Sequence, residues 1–368
     1  MSAELPGSYE SMFRSALEAA GTGQMEKAID LAMRIVNRLC RLRPETMARK
    51  PDLRDTLRRA WYTTVQFLRW DQRFAEAIEL CDRVAPCLAD ADEAHQQIGS
   101  LMIEQGQTEQ GLAYLHEIAE RRQESGYWAY LGVEQIQLKQ YEAAEASCRV
   151  ALSLARDNEQ AASVNLTLFQ LYQAAGRVDQ ALSAWNMAAV LNTDLNELVS
   201  QVSGWLIRRG ELEKAKAYLA RDGNLITQTF YQGLIDWQHN QLQAARDKWR
   251  RVVQMEVGNS GPEIEAWLEA AMRLGEPAKV TEWAEQLQPR DYVRGVNELV
   301  LVGIAYLMQG NLAQAQEWFR EATVRLRRRW PPRETLPSRY WALLTALVTD
   351  QEMQQSVASS FDRGADEV

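Results

Sequence analysis

Glu265 and Glu269 stand one helical turn apart, and two carboxylates at that spacing can divide general-acid and general-base work between them. No third group joins them. The three histidines (His95, His116, His239) are far apart, and H-E-x-x-H, G-x-S-x-G and G-x-x-x-x-G-K are all missing. The four cysteines (Cys40, Cys81, Cys87, Cys148) include no C-x-x-C. Their closest pair, Cys81 and Cys87, is six apart, which suits neither a zinc knuckle nor a redox motif. Glutamates four apart on a helix are most often solvated surface, and scattered thiols most often pack in the core. The chain therefore reads as non-catalytic, with no cofactor and no metal site.

Arginine offers the other candidate chemistry. Between Arg34 and Ala60 nine basic residues face three acidic ones, and between Val324 and Arg333 stand Arg325, Arg327, Arg328, Arg329 and Arg333 with no acid. Basic ends around an acidic middle could take nucleic acid, an acidic partner or a membrane surface. The formal charge of −9 and the lack of a basic stripe interleaved with aromatics argue against nucleic acid. Solvated helix faces are the simpler account of these arginines.

The elements that must carry these residues are helices. Glycine is punctual, proline sparse and β-branched alternation nearly missing, which predicts an all-α chain. At 46% hydrophobic residues it is folded rather than disordered, and its 368 residues allow several domains or one elongated array. The stretch 127–152, YWAYLGVEQIQLKQYEAAEASCRVAL, holds the unit. Trp128, Leu131, Gly132 and Gln135 share one helix face, and Tyr141, Ala144, Cys148 and Ala151 share another after a three-residue break. Two such helices must lie antiparallel, touching at Gly132 and Ala144.

The same twelve-residue spacing recurs. Val65 pairs with Ala77, Gly99 with Gly111, Phe169 with Ala181, Ser203 with Ala215, Gly233 with Ala245, Leu268 with Val280, and Gly303 with Ala315. Second-helix anchors follow one another at 30 to 37 residues, with a weaker copy at Ala28. Turn residues precede them by five: Gly106, Lys139, Gly176, Gly210, Asn240, Gly275 and Gly310. Trp61, Trp128, Trp185, Trp249 and Phe319 fall on the packing faces.

Trp128, Leu131 and Gly132, and again Gly303, Tyr306, Ala315 and Phe319, resemble the tetratricopeptide repeat, W-x-x-L-G-x-x-Y then A-x-x-x-F over 34 residues. Phe169 and Val280 depart from that pattern. The resemblance covers roughly residues 8–325. It implies an α-solenoid, a right-handed superhelix of about nine antiparallel helix pairs, spanning 8–330 with an irregular insertion near 42–54. A capping helix region is expected at 331–355 (PSRYWALLTALV, 337–348) and a flexible tail at 356–368.

The resemblance further implies a scaffold or adaptor that binds a protein or peptide in a concave groove lined by the first helices. Residues at −6, −3, +1 and +4 from each first-helix anchor fall beside the packing face. On that stripe the candidates are Tyr62, Gln66, Arg69, Gln96, Gln170, Gln173, Phe230, Leu234 and Trp237, with Phe230 and Trp237 as expected anchors. The stripe has no lysine, so the carboxylate clamp of chaperone-binding members is not expected. The alternative function is a regulatory module using the Arg-rich ends. The longest apolar run, Leu299–Met308, is half a membrane span, and the first residues lack the basic start and apolar stretch of a secretory signal. A cytoplasmic protein with no membrane span, working within a larger complex, is expected.

Overall fold

The computed structural model describes residues 6–21, 24–192, 199–258, 260–286 and 295–327. All described regular structure is helical, and the chain divides into two compact units, Met1–Asn192 and Thr193–Val368. In the first, α1 (Pro6–Gly21) pairs with α2 (Met25–Leu39), and a short α3 (Pro44–Arg49) leads into α4 (Pro51–Trp70). Helix α4 pairs with α5 (Phe74–Val84), which runs into a 3-10 turn, Ala85–Cys87. Then α6 (Ala91–Glu104) pairs with α7 (Thr108–Arg122), α8 (Ser125–Gln137) with α9 (Tyr141–Ser153), and α10 (Asn158–Ala174) with α11 (Val178–Leu191). In the second unit the pairs are α12 (Val199–Arg208) with α13 (Leu212–Leu219) and α14 (Leu225–Gln238) with α15 (Leu242–Val252). They continue with α16 (Gly261–Leu274) and α17 (Pro277–Gln286), then α18 (Val296–Met308) and α19 (Leu312–Arg327). Each unit is a stack of helix pairs, an all-α solenoid.

One turn is repeated within the pairs. After α6 the chain reverses at Gly106, whose φ is +88°. Its N–H donates to the Ile103 carbonyl at 3.0 Å, and the Gln107 N–H donates to Met102 at 2.9 Å. These two bonds satisfy carbonyls that a helix end otherwise leaves orphaned. Every turn residue expected from the spacing has a positive φ, including Lys139 (+59°) and Asn240 (+61°), where a side chain must tolerate the left-handed region. Gln72 takes the same role five residues before Ala77.

The turn delivers the second helix at a fixed register, and small residues let it touch the first. All eight anchor pairs from Val65/Ala77 to Gly303/Ala315 are buried. A β-carbon added at Gly111 would lie 2.6 Å from the Gly99 carbonyl oxygen, and one at Gly303 would lie 2.7 Å from the Phe319 ring. Trp61, Trp128, Trp185, Trp249 and Phe319 fill the seams, none more than 8% exposed. Such rings bury large apolar areas, so each pair gains most of its stability from this seam and its neighbours.

The insertion resolves into helix. Pro44 and Pro51 occupy the first turns of α3 and α4, where a missing N–H costs nothing, and α4 is lengthened to 20 residues. The expected capping region at 331–355, the tail at 356–368, and Arg328, Arg329 and Arg333 lie outside the described residues. Arg325 and Arg327 end α19, and their side chains are outside the description. Among the described residues, no helix is long and apolar enough to cross a membrane.

Two alanine substitutions separate crossing from propensity. Gly111→Ala should lower the unfolding midpoint, costing about 1–3 kcal/mol because backbone must move. Gly126→Ala, with nothing within 4 Å of the new carbon, should be neutral or gain up to about 1 kcal/mol. Urea titrations of the two variants compare them directly, and equal losses would refute the crossing argument.

Candidate functional site

The first helices of the two units treat the expected groove stripe differently. In the second unit most of it is closed: Ser200, Thr227, Met272, Val300, Ile304 and Leu307 are all buried, because α12, α14, α16 and α18 pack directly on one another. Phe230 is 2% exposed. Its ring meets Tyr231 edge-on at 5.2 Å, and its carbonyl accepts from Trp249 Nε1 at 3.3 Å. Phe230 is therefore core, not a ligand anchor. Leu234 is half-buried on the same cluster. Trp237 keeps 42% exposure, its ring tilted against Trp249 at 5.7 Å.

In the first unit the stripe is more open. Tyr62 is 49% exposed. Gln170 is exposed, and Gln66, Gln96 and Gln173 are half-buried, with Ala129, Val133, Ile136 and Leu166 as half-buried apolar neighbours. Glutamine amides both donate and accept, so this row can pair with the peptide groups of an extended chain.

Beneath it, polar side chains bridge α4, α6 and α8. Arg69 donates through Nη1 to Gln66 at 3.4 Å and through Nη2 to Gln97 at 3.3 Å. Its Nε lies 3.0 Å from Glu104 Oε1 without the alignment of a hydrogen bond. Gln97 donates to the Tyr130 hydroxyl at 3.2 Å, and Ser100 Oγ donates to Glu134 Oε1 at 2.6 Å. The Glu104 side chain is 1% exposed and Glu134 5%. Gln66 Nε2 and Glu134 Oε2 are buried with no hydrogen-bond partner among the described residues. Glu104 thus pairs with the Arg69 guanidinium, and the buried Glu134 carboxylate lies within reach of its charge. Burial, opposed by Arg69 and reinforced by Glu134, pushes the Glu104 carboxyl up to about 7. Burial likewise raises Glu134, against the pull of Ser100 and Arg69.

Of the sequence candidates, Tyr62, Gln66 and Arg69 share α4, with Gln66 and Arg69 bonded to each other; Gln96 lies on α6, and Gln170 and Gln173 on α10. Phe230, Leu234 and Trp237 belong to the other unit. Gln97, Glu104, Tyr130 and Glu134 were not anticipated: they sit at −2, +2 and +5 from their anchors, one step round the helix from the stripe. Residue type and spacing carry no sign of them, because it is the side chains of the neighbouring first helix that engage them.

The other chemistry-bearing residues are tied into packing. Glu269 accepts from Arg273 at 2.7 Å and Glu265 from Asn297 at 2.6 Å, so the paired carboxylates each hold a structural donor. His95 lies 3.0 Å from Asp92, and His116 meets Trp128 edge-on at 5.3 Å. Among the N-terminal arginines, Arg34 pairs with Asp30 and Arg58 with Glu93, and Arg59 lies over the Phe13 ring.

The raised Glu104 carboxyl has a stability consequence. The folded chain holds that proton more tightly than the unfolded chain, whose carboxyl titrates near 4.5. The contribution is full below pH 4.5 and is lost as the pH climbs to about 7. A gap of that size corresponds to about 3 kcal/mol. Glu104→Gln, neutral at every pH, should flatten the fall of the melting temperature across this window and gain on the parent chain as pH rises. A parallel pH profile in the variant would show that Glu104 is not the group responsible.

A family model for the tetratricopeptide repeat matches residues 126–158, which span α8 and α9. No curated protein matches the sequence. Among solved structures, the chain is similar to a tetratricopeptide repeat protein from Parabacteroides merdae, at 13% identity over 73% of this chain and 98% of that one, with a TM-score of 0.41. It is also similar to PilW, a type IV pilus biogenesis factor, at 19% identity over 57% of this chain and 95% of that one, with a TM-score of 0.34. A third similarity is to the APC/C hetero-tetramer Cut9–Hcn1, at 14% identity over 94% of this chain and 63% of that one, with a TM-score of 0.34. The family match on α8 and α9 makes residues 126–158 a tetratricopeptide repeat, and the same turn and crossing recur in the described pairs on either side.

Proposed function

We propose that this chain is a non-catalytic scaffold that docks a peptide segment of a partner protein along the first helices of its N-terminal unit. One observation carries the reading: the stripe over α4, α6, α8 and α10 leaves Tyr62 and Gln170 exposed, over a floor that polar side chains hold in place. An exposed tyrosine brings apolar area and a hydroxyl at low entropic cost. The flanking amides can bond a peptide backbone, and Val133, Ile136 and Leu166 can take apolar side chains of an extended or helical segment. Work within a larger cytoplasmic complex accords with this reading.

The test is recovery of partners by the full chain used as bait in lysate from its native host. Tyr62→Ala combined with Gln170→Ala should lower recovery of the bound partner by about 30-fold, the scale of a 2 kcal/mol hot spot. Met187→Ala, a change at an exposed side chain of α11, should leave recovery unchanged. Full recovery by the double variant would refute docking on this stripe.

A further inference from the structure

Cys40 and Cys87 are 47 residues apart in sequence and adjacent in space. Cys40 caps the C-terminus of α2, its N–H donating to the Val36 carbonyl at 2.9 Å. Cys87 ends the 3-10 turn after α5. The Cys87 sulfur lies 4.0 Å from the Cys40 carbonyl oxygen, which sets the two residues side by side. Both are half-buried, whereas Cys81 and Cys148 are fully buried. The pair six apart in sequence, Cys81 and Cys87, is thus divided between the core and the surface.

The two thiols differ in access. Cys87 lines a cleft of about 180 Å³ with Pro51, Arg54, Arg58, Leu88 and Glu93. Cys40 does not line that cleft. We propose that Cys40 and Cys87 form a reversible intramolecular disulfide, with Cys87 the attacking thiol and Cys40 the resolving one, by exchange with a low-molecular-weight disulfide such as oxidised glutathione. The Cys87 thiolate displaces one glutathione thiolate and forms a mixed disulfide. The Cys40 thiolate then attacks the Cys87 sulfur and expels the second glutathione. The two protons given up by the cysteines pass to the two glutathione thiolates, so one disulfide is reduced as one is made.

The surroundings explain the order. Burial and the hydrogen bond and charge of Cys87 push the Cys40 thiol up to about 12, and Arg83 pulls it down. Burial still raises the Cys40 thiol once Cys87 is capped as a mixed disulfide, but the two contributions of the Cys87 thiol are gone and Arg83 still opposes what remains. A bond here ties the end of α2 to the turn after α5, bracketing α3, α4 and α5. A bridge made and broken by exchange suits a compartment that keeps most thiols reduced. The inference does not rest on the peptide-docking reading.

The experiment incubates the full chain with oxidised glutathione, blocks remaining thiols with an alkylating reagent, and maps peptides without reduction. The expected result is a Cys40–Cys87 cross-linked peptide within one chain, with reactive thiols in the denatured protein falling from four to two. Cys40→Ser should stop at a glutathione adduct on Cys87, and Cys87→Ser should give no adduct on Cys40. Alkylation of both cysteines in the treated parent chain would overturn the proposal. So would a persistent adduct on Cys87 of the parent chain, or a linkage found only between chains. The parent chain decides the question even where a variant fails to fold.

Discussion

Two helix backbones can touch only where no side chain stands between them, and the repeated architecture follows from where that happens. Gly99 meets Gly111, Gly132 meets Ala144, and Gly303 meets the face of Phe319. A left-handed residue five positions before each second-helix anchor reverses the chain at the distance this crossing requires. The turn and the crossing therefore constrain each other: changing the register of one would place a larger residue in the other. Stability then accumulates from seam to seam, because no pair can bury its apolar face alone.

With packing assigned to the crossing face, the first helices differ in what lies beside it. Where they pack directly, as α14, α16 and α18 do, the stripe becomes core and Phe230 and Met272 disappear from solvent. Where polar side chains bridge them, as from α4 through α6 to α8, the stripe remains available. Burying Glu104 and Glu134 with a single guanidinium is costly, since desolvating charges is offset only by good pairing. That cost falls on the floor of the stripe that carries Tyr62.

The periodic part of this structure was legible in the residues, and the part that depends on inter-helix distance was not. Glycines and small anchors at fixed offsets located the turns and crossings, Asn240 is of a type that tolerates the left-handed region, and spacing alone located Lys139. Gln72 holds the same offset from Ala77 but carries no turn-favouring side chain. The helix period places Phe230 and Tyr62 on equivalent offsets; only the approach of the next first helix makes one core and leaves the other exposed. Gln97, Glu104, Tyr130 and Glu134 read as ordinary polar positions until the neighbouring helix is in view. Cys40 and Cys87 meet across the irregular step of α3 and α4, which no repeat spacing describes.

The central proposal is a division of labour in the N-terminal unit, with second helices for packing and first helices for binding. Amide hydrogen exchange of the chain alone and in complex with its captured partner tests it most directly. The account predicts slower exchange on binding in α4, α6, α8 and α10, with α5, α7 and α9 unchanged. Protection confined to those second helices would contradict it.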